Sequence, residues 1–177
     1  MGSTTEFVFS GWLAENRSTI LEQWVDALLA TYAPDGASFF KRQKDQFANP
    51  VGHTVKQGLS ELFELLSQPG RIEALPATLL HLLKIRAVQV FTVREALAFI
   101  YIGKELVRKR CKLEELGAAL QDLLAFESRF DQIALLVFEQ FVLDRELIYK
   151  IRLRELNSGT HILTDGSKCP SALMGRK

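Results

Sequence analysis

The sequence predicts an all-α fold, a bundle of about six helices that ends in one long C-terminal helix. Apolar residues recur at steps of three and four along most of the chain, and no run alternates as a half-buried β-strand does. Each of the five prolines falls where this rhythm changes, so the prolines separate the helices. The 177 residues, 47% hydrophobic and 24% charged, are typical of one folded domain. We therefore expect a helical domain over residues 1–156 and a loosely held tail over residues 157–177.

The first predicted helix ends at Tyr32, where the turn sequence APDG follows. Its apolar side chains form one stripe at helical spacing, made of Leu13, Ile20, Leu21, Trp24, Val25, Leu28 and Leu29. The next segment, ASFFKRQKDQF, predicts a short second helix. It carries Phe39, Phe40 and Phe47.

A third helix is predicted from Asn49 and Pro50 to about Ser67. The asparagine side chain can accept a hydrogen bond from an otherwise unpaired backbone amide at the helix start. Proline suits the first helical position because no amide partner is lost there. Gly58 lies within the apolar stripe of this helix, where a close crossing by another helix and an incidental glycine are equally good explanations.

Three further helical segments follow in the second half of the chain. Residues 74–91 predict a helix that is buried on nearly all sides, because apolar residues surround its axis. Thr92 and Glu95 form a capping-box pattern that predicts the next helix over 93–110. After a shorter piece from Leu113, the last helix is predicted over about 126–155. Its aromatic residues are assigned to the core and are Phe126, Phe130, Phe138 and Phe141.

The last helix changes character beyond Leu143. Its apolar stripe narrows to Leu147, Ile148 and Ile151, surrounded by charged residues. A narrow stripe on a projecting helix predicts a dimer seam, so we expect a homodimer through these three residues. The alternative is that the stripe packs against its own domain.

Two histidines are candidates for ligand binding. His53 shares its helix face with polar residues, so its imidazole is predicted to lie in solvent. His81 lies in the helix that is apolar on nearly all sides, so its imidazole is expected to be buried and to need a partner. That partner is either a backbone carbonyl or Tyr101, as in an ordinary core histidine, or a haem or metal ion.

No motif in the sequence predicts catalysis or a dedicated metal site. The chain has no nucleophile elbow, Walker loop or HExxH motif, so no catalytic residue is assigned and no enzyme is predicted. The net charge of +1 gives no overall attraction to nucleic acid or to an acidic membrane surface. We expect no secretory signal, since the first basic residue is Arg17, and no transmembrane helix, since no apolar run is long enough. Cys111 and Cys169 could pair or react, but they form no framework, so a cytoplasmic protein is expected.

Three separated blocks of the sequence resemble a known family. KRQKDQFANPVGHTV, LLKIRAVQVFTVREALAFIYIGKEL and FDQIALLVFEQFVLDRELIYKIRLREL occur in this order. They resemble the RsbRD N-terminal domain family, the sensor modules of stressosome-type RsbT co-antagonist proteins. The resemblance covers roughly residues 10–156, which is nearly all of the predicted helical part.

The resemblance implies a non-catalytic sensory module with a globin-like fold that lacks haem, forms dimers and acts by protein–protein interaction. In such proteins the module passes its signal to an attached STAS domain. Only 22 residues follow Glu155, too few for a STAS domain, so we expect a stand-alone member or a fragment. A partner in a signalling or electron-transfer regulatory complex fits this expectation. The alternative is a globin-like protein that binds haem or a small ligand through His81.

Overall fold

The structure is a computed structural model that describes residues 8–32, 49–89, 91–111 and 119–158. These residues form five α-helices and no β-strand: α1 (Phe9–Leu29), α2 (Pro50–Ser67), α3 (Ala77–Val88), α4 (Val93–Arg110) and α5 (Leu120–Ser158). For the described residues, the prediction of an all-α fold with a long C-terminal helix is confirmed. The 39 residues of α5 span about 58 Å at a rise of 1.5 Å per residue.

Three predicted segments lie outside the described residues. They are the short helix with Phe39, Phe40 and Phe47, the piece that starts at Leu113, and the tail beyond residue 158. A sixth helix and the boundary of the tail therefore stay predictions, as does the globin-like arrangement.

The starts of α2 and α4 follow from local side-chain chemistry. Asn49 Oδ1 accepts a hydrogen bond from Gly52 N at 2.8 Å, and Pro50 is the first residue of α2. At α4 the capping box is complete, with Thr92 Oγ1 accepting from Glu95 N at 3.2 Å and the Glu95 carboxylate accepting from Thr92 N at 2.8 Å. Both predicted helix starts are confirmed, because each side chain satisfies amides that the helix leaves unpaired.

Trp24 of α1 lies at the centre of the main core. Its indole is fully buried, and Nε1 donates a hydrogen bond to Phe99 O of α4 at 2.6 Å. The Phe130 ring of α5 lies 5.8 Å from the Trp24 ring, centroid to centroid. One side chain therefore joins α1, α4 and α5 by a hydrogen bond as well as by apolar contact.

Two apolar clusters organise the packing. The larger contains residues from all five helices, with α2 against α1 and α3, and with α4 against α1 and α5. The smaller lies where α3, α4 and α5 meet, and we name it the corner cluster. Its members are Ala87, Phe91, Ala96, Phe141 and Ile148.

Two expectations about burial are wrong. Phe138 is not in the core but has 51% of its surface exposed on α5, whereas Phe126, Phe130 and Phe141 are buried as predicted. The third helix of the structure is not buried on all sides, because Val88 is 63% exposed. An apolar side chain on a helix surface is common, and residue type alone does not tell it from a core residue.

Candidate interaction surface

The structure places both candidate histidines at the surface. His53 is exposed near the start of α2, as predicted. His81 is also exposed, on the outer face of α3, so the expectation of a buried imidazole is wrong. Tyr101 is 53% exposed on α4. The pattern failed at His81 because apolar residues on the same helix face, Ala77 and Val88, are themselves exposed, so an apolar face is not always a buried one.

The described part of the chain holds no group of three or more His, Cys, Asp or Glu side chains that could bind a metal ion. Within the same ranges, no helix is long and apolar enough to cross a membrane. Cys111 is buried at the end of α4, and Cys169 lies outside the described residues.

An apolar groove lies between α4 and α5, and we name it the α4–α5 groove. It encloses about 560 Å³ and is lined mainly by apolar side chains, among them Leu97, Tyr101, Leu135 and Phe138. Leu135 is 72% exposed and Phe138 is 51% exposed, so these side chains face outward and not into the core. Exposed apolar side chains that lie together mark an interaction site more often than isolated ones do.

Charged pairs hold the two helices that form this groove. Lys104 Nζ donates to Asp131 Oδ1 at 2.7 Å, and Arg108 makes two hydrogen bonds to the carboxylate of Glu127. The Glu127 carboxylate raises the pKa of the Arg108 guanidinium above its ordinary value. Since each pair joins α4 to α5, the groove has walls fixed by ion pairs as well as by packing.

The exposed apolar surface continues along α5 beyond the groove. We name this line of side chains the outer stripe, and its members are Leu135, Phe138, Val142, Tyr149, Leu153 and Leu156. They follow one another at steps of three, four or seven residues, which keeps them on one side of a helix. From Leu135 to Leu156 the outer stripe extends about 30 Å at 1.5 Å per residue.

The three residues of the predicted dimer seam do not share one environment. Leu147 is 57% exposed and Ile151 is 39% exposed, as a seam would require. Ile148 is only partly exposed, because it packs against the corner cluster of its own domain. Ile148 therefore packs on its own domain, and a dimer seam through Leu147 and Ile151 stays a prediction.

An arginine that the sequence analysis did not single out occupies the interior beside the corner cluster. Arg86 of α3 is fully buried and donates hydrogen bonds to Ala96 O at 3.2 Å and Glu95 O at 3.0 Å. Its guanidinium lies 4.3 Å from the Phe91 ring centroid and 5.2 Å from that of Tyr32. Burial lowers the pKa of this guanidinium, and Tyr32 and Glu95 partly oppose the shift. Aromatic faces and carbonyl dipoles thus stabilise a buried cation.

A second arginine reaches the same corner from α5. Arg145 Nη1 donates to Ala87 O at 3.1 Å and to Gln89 O at 3.3 Å, at the C-terminal end of α3. Its Nη2 donates to the Tyr149 hydroxyl at 3.1 Å. Carbonyl groups at a helix C-terminus lack intrahelical donors, so this cation satisfies them and complements the helix dipole. In the sequence, Arg145 is one of several charged residues on an exposed helix, and nothing marks it as different.

Comparisons with known proteins agree with the blocks that the sequence analysis singled out. Neither a curated protein nor a solved structure matches the chain. A family model does match, over residues 18–156, which include most of α1 and almost all of α5. That model describes the RsbT co-antagonist protein RsbRD N-terminal domain, and because it covers well over half of the chain, this protein belongs to the RsbRD N-terminal domain family.

Proposed function

We propose that this chain is a non-catalytic sensory or regulatory module of the cytoplasm, related to stressosome-type sensors, which works as a homodimer. Membership of a family named for an RsbT co-antagonist supports a regulatory role exerted on other proteins. The observation that carries the proposal is the exposed apolar surface of the α4–α5 groove together with the outer stripe. A module that works by contact needs a surface of this kind, and apolar area is what it offers a partner.

A second copy of the chain is the occupant that this surface fits best. Arg94 and Glu105 both line the groove, so the groove has charges of opposite sign. In a dimer with a two-fold axis, the groove of one copy faces the same groove of the second copy. Arg94 of one copy can then lie beside Glu105 of the other. The three- and four-residue spacing of the outer stripe is the spacing that paired helices use.

The route of the signal in this proposal is the packing or tilt of α5. Its first part contacts α3 and α4, and residues 149–154 are exposed beyond the corner cluster. A change in the packing of the first part therefore moves the exposed part as well, because both belong to one continuous helix. Bistable packing of this kind is a common means by which small shifts are passed on.

The dimer is tested by light scattering after size-exclusion chromatography. We expect the wild-type chain to have the mass of a dimer, and the double variant Leu135→Asp/Phe138→Asp to have that of a monomer. Two buried carboxylates at a dimer contact are costly, whereas in the free monomer these exposed positions tolerate them. Circular dichroism confirms that the helices remain.

The matched control is Leu147→Asp/Ile151→Asp, which changes the exposed residues of the seam that the sequence predicts. We expect this variant to remain dimeric. If it dissociates while the variant of the α4–α5 groove does not, the seam lies at Leu147 and Ile151. A wild-type chain that stays monomeric at high concentration contradicts the homodimer itself.

A further inference from the structure

The exposed part of α5 leaves the domain at the corner cluster. Ile148 is the last residue of α5 that packs against this cluster, and residues 149–154 are exposed. Because α5 is one continuous helix, the direction of this segment follows from how the preceding part of α5 is held, and the contacts at the corner cluster lie nearest to it. Arg145 is placed among those last contacts.

Arg145 of α5 donates hydrogen bonds to the C-terminal end of α3, where backbone carbonyls are available. Its two acceptors lie at the C-terminal end of α3. Ala87 is the last residue but one of this helix, and Gln89 is the first residue after the helix. The planar guanidinium can donate to both carbonyls only within a narrow range of orientations, whereas apolar packing tolerates rotation. The position of α5 relative to α3 is therefore restricted in direction as well as in distance.

Aromatic rings on α5 keep the guanidinium in this orientation. The Arg145 guanidinium carbon lies 5.9 Å from the Phe141 ring centroid and 5.5 Å from that of Tyr149. Phe141 is fully buried in the corner cluster, and Tyr149 is exposed beyond it. Arg145 therefore touches one ring inside the domain and one ring on the projecting segment.

Arg86 also contacts the corner cluster. Its guanidinium packs on Phe91, which packs in the corner cluster with Phe141 and Ile148. Arg86 also approaches Thr31 Oγ1 at 3.3 Å, beyond the end of α1. Contacts thus run without a gap from the end of α1 through the corner cluster to Arg145.

We propose that Arg145 is the positioning residue that sets the direction in which the projecting part of α5 leaves the domain. Its hydrogen bonds to the end of α3 transfer any displacement of that end to α5. The regulatory consequence rests on the proposed function, whereas the positioning role itself concerns a single chain. A signal that moves the end of α3 would then reach Tyr149 and the projecting residues after it through Arg145, alongside the apolar contacts of the corner cluster.

The test measures the distance between α3 and the projecting segment by pulsed electron paramagnetic resonance. Spin labels are attached at Lys84→Cys and Arg154→Cys, both exposed, with Cys169→Ser in the same chain. Labelled protein is mixed with an excess of unlabelled protein, so that only distances within one chain are recorded. We expect one narrow distance distribution for this reference protein. In the Arg145→Leu variant we expect the distribution to broaden or shift, while the thermal midpoint changes little.

Arg152→Leu is the matched control, because Arg152 is an exposed arginine on the same segment. It is expected to keep the distribution of the reference protein. Arg145→Gln, whose amide is too short to reach the carbonyls, is expected to behave like Arg145→Leu and replaces it if the leucine variant does not fold. The proposal is overturned if the Arg145 variants keep the reference distribution, or if Arg152→Leu changes it equally.

This result is independent of the homodimer. The spin-diluted sample reports one chain whether or not it pairs, so a monomeric protein with a broadened Arg145→Leu distribution retains the positioning role and loses the dimer. A dimer with an unchanged Arg145→Leu distribution gives the opposite outcome.

Discussion

At the scale of single residues, the contact between Trp24 and Gly103 determines how closely α1 and α4 approach. A methyl group built on Gly103 would overlap the six-membered ring of the Trp24 indole, with Cη2 at 2.8 Å. The indole cannot move aside, because its Nε1 is hydrogen-bonded to Phe99 O. Gly58, which the sequence had singled out, has room for a methyl group, whose nearest neighbour would be Leu79 N at 3.6 Å.

We therefore expect Gly103→Ala to destabilise the protein by about 1–3 kcal/mol, the usual cost of adding a methyl group to a full core. Gly11→Ala is the control, because nothing lies within 4 Å of its added Cβ and alanine favours the helix. That variant should be unchanged or more stable by up to about 1 kcal/mol. Urea unfolding followed by circular dichroism measures both, and equal midpoints for the two variants would contradict the close packing.

Burial at the residue scale was the point at which the sequence pattern failed. His81 lies outside and Arg86 lies inside, although both belong to the same helix and the pattern predicted the opposite for the histidine. Which face of a helix is buried depends on the helices packed against it. Arg86 of α3 lies on the side of α4, where it donates to Glu95 O and Ala96 O and packs on the Phe91 ring.

At the scale of elements, arginines of α5 cap the C-terminal ends of the helices beside it. Arg129 donates to Leu66 O at 2.9 Å and Leu65 O at 2.7 Å at the end of α2, and also to Gly70 O. Arg145 does the same at the end of α3. A long helix thus supplies the donors that shorter helices lack at their ends, which fixes its register against them.

The start of α4 gives a prediction about pH. Hydrogen bonds from Thr92 hold the pKa of the Glu95 carboxyl below its ordinary value of 4.5. A carboxyl whose folded pKa is depressed contributes stability above its unfolded pKa, and this contribution is lost as pH falls through the folded pKa. Between about pH 5 and pH 3, Glu95→Gln should therefore lose less stability than the wild type, relative to each protein at neutral pH.

Thr92→Val is the companion variant, because it removes the hydroxyl that bonds to Glu95 and leaves the backbone amide. Its acid dependence should lie between those of the wild type and Glu95→Gln. Thermal unfolding at a series of pH values measures all three proteins. The same slope for wild type and Glu95→Gln would show that the capping box does not contribute to acid unfolding.

At the scale of the whole molecule, the proposed dimer makes stability depend on protein concentration. Association through the α4–α5 groove stabilises only the folded chain, so the thermal midpoint should rise with concentration. A tenfold increase contributes roughly 1.4 kcal/mol per mole of dimer when unfolding and dissociation are coupled. Differential scanning calorimetry should show this rise for the wild type and its absence for Leu135→Asp/Phe138→Asp. A midpoint independent of concentration in both proteins would contradict coupling of folding to association.

The sequence by itself determined the family, the all-α class and the starts of α2 and α4. Helix starts are local, because Asn49 and Thr92 act on amides two or three residues away and need no distant partner. Only the tertiary structure decided which faces are buried, because burial depends on neighbours that are distant in the chain. It placed Phe138 outside beside Tyr101, Arg86 inside against Phe91, and Gly103 beneath Trp24. The candidate interaction surface is a product of such long-range contacts, so the sequence predicted that α5 would pair but did not predict which of its faces remains open.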